Sequence, residues 1–151
     1  MRKFAVAALG AAAICIASSP ALSEPYVEYT PQNGYWDINA IEVDPNHIDD
    51  YLVGLRQSQV SAFEVLKARG LIDSYKFMVR NGYVKGSPNV LIMTHSRSIG
   101  TLEADKARDQ AVTKEIDAAF SRDRSKAAVA GYEKYRTFID DGQWVENIMN
   151  K

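Results

Sequence analysis

His95 and Asp37 are the residues whose types suit proton transfer near neutral pH, because an imidazole titrates there and a neighbouring carboxylate can orient the ring and hold its proton. His95 falls on an alternating stretch, VLIMTHSR, and Asp37 on another, YWDINAIEV. If these stretches are strands lying antiparallel, the end of the first meets the start of the second, and the pair becomes a general-base dyad or a structural bridge. Asn39 and Lys76 are the candidate polarising groups, and Ser74, Met93 and Tyr35 complete a candidate ligand-binding set. If Trp36, Ile38, Tyr75, Phe77, Val90 and Ile92 pack under helices, then Asp37, Asn39, Ser74, Lys76 and His95 share the opposite face with Ile41, Met78, Leu91 and Met93. Apolar walls with a few convergent polar groups suit a small, partly apolar ligand. The same residues can instead form a satisfied polar network at a dimer seam.

Other groupings carry less chemistry. Asp44, His47, Asp49 and Asp50 gather at a helix start, where an N-cap and acids complementing the helix dipole account for them. Asp140-Asp141-Gly142 lacks the further oxygen ligands and distal Glu of a calcium loop and reads as a helix stop. Tyr132, Tyr135 and Phe138 recur at helical spacing, as a core stripe would. No Gly-rich phosphate loop, no GxSxG elbow and no cysteine nucleophile is present in the chain after the leader described below. No metal or cofactor is therefore expected.

These residues must be positioned by a small set of elements. Residues 24–34, with Pro25, Pro31 and Asn33-Gly34, read as an irregular arm. Tyr35–Val43 alternates as a first strand, and Asp44-Pro45 opens an amphipathic helix that should reach Arg69 before Gly70 ends it. Leu71–Arg80 and Val90–Arg97 alternate as antiparallel strands around the turn-rich loop 81–89. A second helix is expected over Leu102–Phe120 with Thr101 as cap, and helical character resumes over Lys126–Phe138. Gln143–Met149 fits a short last strand or a terminal helical turn. The order is the βαββα(β) of an α+β, ferredoxin-like domain with an antiparallel sheet, spanning residues 35–151. Two helices cover one sheet face, so a second copy is expected over the other, giving a homodimer.

Upstream, Arg2 and Lys3 precede an uncharged apolar stretch, Phe4–Ala17, that is shorter than the roughly 20 residues of a membrane span. Ala21 and Ser23 occupy the −3 and −1 places before Glu24, so residues 1–23 read as a cleavable export signal. The product should be periplasmic or secreted, with no membrane attachment after cleavage. The single cysteine, Cys15, leaves with the leader, so neither a disulfide nor a thiol remains. Of 18 basic residues, loss of Arg2 and Lys3 leaves 16 against 19 acidic ones, a formal charge of −3 without long runs. That balance points away from nucleic acid.

The strand running through Asp-Pro into a helix, YWDINAIEVDPNHIDDYL, and the strand passing into the second helix, VLIMTHSRSIGTLEA, resemble the dimeric α+β barrel superfamily. That resemblance implies a dimer and a site within each barrel. The superfamily includes cofactor-free monooxygenases, haem-degrading enzymes, small isomerases and proteins of no known activity. Asn39 stands where the haem-degrading members have an Asn. Thr94, His95 and Ser96 replace their Trp, and no His follows His95, so haem degradation is not expected. The resemblance implies an exported dimer with a small-molecule pocket, acting as a monooxygenase-, isomerase- or lyase-like enzyme without a cofactor, or else a non-enzymatic ligand- or partner-binding dimer.

Overall fold

A computed structural model describes residues 24–151; the expected leader, with Cys15, lies outside them. In chain order the elements are β1 (Tyr29–Pro31), β2 (Tyr35–Val43), α1 (Ile48–Ser58), α2 (Val60–Ala68), β3 (Ser74–Val79), β4 (Val90–Ser96), α3 (Lys106–Ala119), α4 (Arg122–Tyr132), β5 (Arg136–Trp144) and β6 (Asn147–Met149). The main sheet is wholly antiparallel in the order β3-β4-β2-β5. This is the ferredoxin-like arrangement expected from the sequence.

Local chemistry explains most boundaries. Asp44 accepts from the Asn46 amide, and Pro45 sits in the first helical turn. Gly70 has φ +69°, the left-handed conformation that ends α2. The single helix expected from Asp44 to Arg69 is instead a 3₁₀ turn followed by α1 and α2, joined at Gln59. Next to that joint the Ser58 hydroxyl donates to the Gly54 carbonyl at 2.8 Å, a back-bond that bends helices. Thr101 does not cap the second long helix. It lies in a 3₁₀ turn, and the cap of α3 is Asp105, whose side chain accepts from Arg108 N.

The C-terminal third departs furthest from expectation. The helix foreseen over Lys126–Phe138 stops at Tyr132, and Arg136–Trp144 forms the fourth strand, with Asp140-Asp141-Gly142 inside it. An edge strand tolerates such residues, since charge and glycine on an edge discourage further pairing. Asn147–Met149 pairs with Tyr29–Pro31 rather than with the main sheet, so the expected irregular arm contains a strand.

The core lies between the helices and one sheet face. Ile41, Val43, Tyr51, Leu55, Val90, Ile92 and Tyr132 are buried together, with Phe63 and Phe77 packed against them. Phe63 also meets Tyr75, at 5.3 Å between ring centroids. Tyr75, Phe77, Val90 and Ile92 thus lie under the helices as their alternation predicts. The first strand does not follow its expected orientation. Tyr35, Ile41 and Val43 are its buried residues, so the odd-numbered positions face the helices. Trp36, Ile38 and Ala40 face away. The bulk of Trp36 and Ile38 suggested the reverse, but register decides it. Trp36 pairs with His95, Ile38 with Met93 and Ala40 with Leu91, and directly paired residues share a face.

Candidate functional site

The sheet divides the expected site into two groups. Asp37 pairs with Thr94, one step from the Trp36–His95 pair. Asp37 and His95 therefore project from opposite faces, and the dyad expected from the sequence does not form. Tyr35, Asp37 and Asn39 lie on the helix side. Ser74, Lys76, Met93 and His95 lie on the open side.

On the open side the His95 partner is Asp73; the strand expected over Leu71–Arg80 includes it, but β3 begins only at Ser74, so the alternation does not report where its side chain points. His95 Nδ1 donates to Asp73 Oδ1 at 2.7 Å, and Arg97 Nε donates to Asp73 Oδ2 at 3.1 Å. Partial burial pushes the Asp73 carboxyl up, but the hydrogen bonds from His95 and Arg97 outweigh it and hold the group below the usual range. The imidazole also meets Trp36, with centroids 4.9 Å apart, and the Lys76 ammonium lies 4.7 Å from a Trp36 ring. His95 is thus engaged on both sides: by a carboxylate hydrogen bond and by an aromatic ring. His47, at the other helix start, donates to Asp50 at 2.9 Å and stacks on Tyr135. Among the described residues no three His, Cys, Asp or Glu side chains gather as a metal site would need.

On the helix side a cleft of 310 Å³ opens between β2, β4, α2 and α3. Asp37 and Thr94 form its floor, Leu66, Ile72 and Val112 give it apolar walls, and Arg108 reaches its edge. Tyr35 closes one end, its hydroxyl 3.2 Å from Thr101 Oγ1. Asn39 donates to Asp37 Oδ1 at 3.1 Å from beside the cleft. Burial raises the Asp37 carboxyl, the charge of Asp141 on β5 raises it further, and the Asn39 hydrogen bond only partly opposes them. A half-buried carboxyl shifted upward in a cleft can hold or release a proton toward a bound molecule. Thr94 was legible, since it shares its face with Val90 and Ile92. Thr101 and Arg108 come from the turn before α3 and its first turn, which no strand pattern reports.

The fold and this cleft define a ferredoxin-like α+β protein with a ligand-sized opening on the helix-covered face of its sheet. Compared with solved structures, the chain is similar to a NipSnap family protein of unknown function from Agrobacterium tumefaciens, at 8% identity, TM-score 0.44 and coverage of 82% of this chain and 96% of that one. It is also similar to a dimeric ferredoxin-like protein of unknown function from Thermobifida fusca, at 10% identity, TM-score 0.37 and coverage of 79% and 92%. No protein-family profile matches the chain, and no curated protein matches it.

Proposed function

We propose that this is an exported homodimeric binding protein that takes a small, partly apolar ligand in the cleft above Asp37. The observation that carries the reading is the cleft itself: a carboxyl with a raised proton affinity at the floor of an opening whose apolar walls, Leu66, Leu71, Ile72 and Val112, alternate with polar groups. That combination supplies burial for a ligand's body and one strong polar contact to orient it. The divided site supports binding over catalysis, because the imidazole that a dyad would use lies behind the sheet.

A thermal-shift screen of small neutral and charged organic molecules on the protein tests this, since specific binding to the folded state raises its melting temperature. For a molecule that shifts wild type, Asp37→Asn and Thr94→Val are expected to weaken binding by about tenfold or more. That is the worth of one hydrogen bond to a charged group, about 1.5–3 kcal/mol. His95→Ala is expected to leave that affinity unchanged. An Asp37→Asn protein that binds as tightly as wild type would remove Asp37 from the site.

Asp37→Asn carries a second signature in the empty protein. A folded-state pKa raised above the ordinary 3.8 means that ionising Asp37 costs folding stability above that value, and that the penalty vanishes at pH below it, where both states are protonated. The variant should therefore melt higher than wild type at neutral pH, with the gain disappearing as pH falls below the unfolded value. A gain that persists at low pH would exclude this cause.

Export and dimerisation are separable parts of the proposal. The small residues Ala21 and Ser23 before Glu24 support cleavage there, and the intact mass of the exported protein is expected to match a chain starting at Glu24. A mass retaining residues 1–23 would refute it. The open sheet face supports self-association: Met78 and Trp144 are about half exposed on it, beside Ile38, Leu91 and Met93, and such patches seldom face water in monomers. Light scattering at micromolar concentration is expected to give twice the chain mass.

A further inference from the structure

The cleft above Asp37 has a sign. Its charged lining groups are Asp37, Arg108 and Asp109. Arg108 is already committed: its Nε donates to Asp109 Oδ1 at 2.9 Å, and its Nη2 donates to the Glu103 carbonyl at 2.6 Å. Those two side chains cancel, which leaves the Asp37 carboxylate as the uncompensated charge of the cleft. Among the described residues no basic side chain pairs with it. Its hydrogen bond comes from the Asn39 amide, to Oδ1 at 3.1 Å, and Oδ2 has no partner. Asp141, on the adjoining strand β5, pairs with Asn39 and adds a second negative charge on the same face.

The floor of the cleft offers acceptors rather than donors. Asp37 and Thr94 are directly paired across β2 and β4, so their side chains stand side by side, with Cβ atoms about 4.5–5.5 Å apart. The hydroxyls of Tyr35, Ser96 and Thr101 are hydrogen-bonded, whereas that of Thr94 has no partner among the described residues. An ammonium brings three N–H donors and the charge that Asp37 lacks. A ligand carboxylate would instead place another negative charge beside Asp37 and Asp141, and would find Arg108 held by Asp109. A ligand hydroxyl could meet the acceptors but would leave the charge uncountered. Above the floor, Leu66, Leu71, Ile72 and Val112 present apolar walls to the rest of the molecule.

We propose that the cleft selects a small organic cation, a primary amine on a short apolar body, whose ammonium lies between the Asp37 carboxylate and the Thr94 hydroxyl. The assignment rests on the cleft as a ligand site and adds the charge and chemical class of the ligand. Burial and the charge of Asp141 both raise the proton affinity of Asp37. A bound cation opposes both causes, because it stabilises the ionised carboxylate that desolvation and a like charge disfavour.

Calorimetric titration of the protein with butyl, hexyl and phenethyl bodies, each carried on an ammonium, a hydroxyl and a carboxylate, tests this. For a body that fits, the amine is expected to bind more tightly than the alcohol by about tenfold or more, and the carboxylate to bind most weakly. Asp37→Asn is expected to shrink the preference for the amine to about twofold or less, and Asp37→Glu to keep its sign. Asp37→Asn should melt higher than wild type at neutral pH, so a preference lost in that variant reports the charge and not unfolding. An alcohol or carboxylate that wild type binds as tightly as the amine, or an amine preference that survives Asp37→Asn, would overturn the amine assignment and leave the cleft standing. Silence from every probe would overturn it as well, and the thermal-shift screen would then decide the cleft separately.

Discussion

Tyr132→Ala is expected to lower the free energy of unfolding by about 3–5 kcal/mol, a large share of the roughly 5–15 kcal/mol typical of a domain. Tyr132 is 2% exposed and meets the ring of Tyr51 edge-on at 5.1 Å. Its hydroxyl donates to Ser58 Oγ at 2.8 Å, and Ser58 in turn donates to the Gly54 carbonyl. The ring thereby ties α4 to α1. Helix α1 can approach so closely because position 54 is glycine: a Cβ there would stand 2.1 Å from Tyr132 Cδ1. Gly54→Ala should accordingly cost about 1–3 kcal/mol by overpacking. In the Tyr132→Ala background the same change should cost much less, because the clashing ring is gone. Urea denaturation of the four proteins measures all of this. A loss below about 1 kcal/mol for Tyr132→Ala, or additive effects in the double variant, would mean that the ring does not hold α4 in place.

Tyr132 also shows where the sequence misleads. With Tyr135 and Phe138 it forms a three-residue rhythm that imitates one helical face, yet the helix ends at Tyr132 and the other two leave it. Tyr135 stacks on His47, and Phe138 lies on β5 beneath the Arg136 guanidinium, 4.6 Å from its ring. A period of three across a helix end carries no trace of the break. The fourth strand was hidden for a related reason. RTFIDDGQW has adjacent acids and a glycine, which a buried strand excludes, but β5 has one free edge and faces water along most of its length.

Strands β2, β3 and β4 and the α1 start were legible because their causes are local: alternation, Asp44-Pro45, and Gly70. The facing of β2 was not, because its two faces are nearly equal in apolar content. Trp36, Ile38 and Ala40 compete with Tyr35, Ile41 and Val43. Only the partner strand resolves the tie, since burial of Val90 and Ile92 fixes β4 and register then fixes β2. A one-residue error in facing moves every side chain across the sheet. That error alone placed Asp37 beside His95 and merged two separate groupings into one site. The faces these residues occupy depend on long-range pairing.

Asn89 was read as a loop residue closing the segment NGYVKGSPN, and its replacement should have the second-largest effect. Only 3% of it is exposed. Its Oδ1 accepts from Val43 N at 2.7 Å, and its Nδ2 donates to Val43 O at 2.7 Å. Its own amide donates to the Ile41 carbonyl at 2.9 Å. The regular ladder between β2 and β4 ends at the Ile41–Val90 pair. Beyond it, Val43 is fully buried, and its amide and carbonyl both point to the side where β4 offers no further backbone. The Asn89 side chain replaces the missing strand, because a primary amide presents one donor and one acceptor at the spacing of a peptide group. Asn89→Ala leaves both Val43 groups buried without partners, at about 2–4 kcal/mol in total. Asn89→Asp keeps the acceptor for Val43 N but sets an ionised oxygen against the Val43 carbonyl. Only the protonated acid can donate there, so folding favours that form and raises the pKa of the introduced carboxyl above its unfolded value. Its stabilising hydrogen bond is then present at low pH and lost as pH rises through the folded-state pKa. Urea denaturation at two pH values separates the cases: Asn89→Asp should approach wild type at low pH, and Asn89→Ala should not. If Asn89→Ala loses less than about 1 kcal/mol, water has reached Val43 and the side chain is not extending the strand.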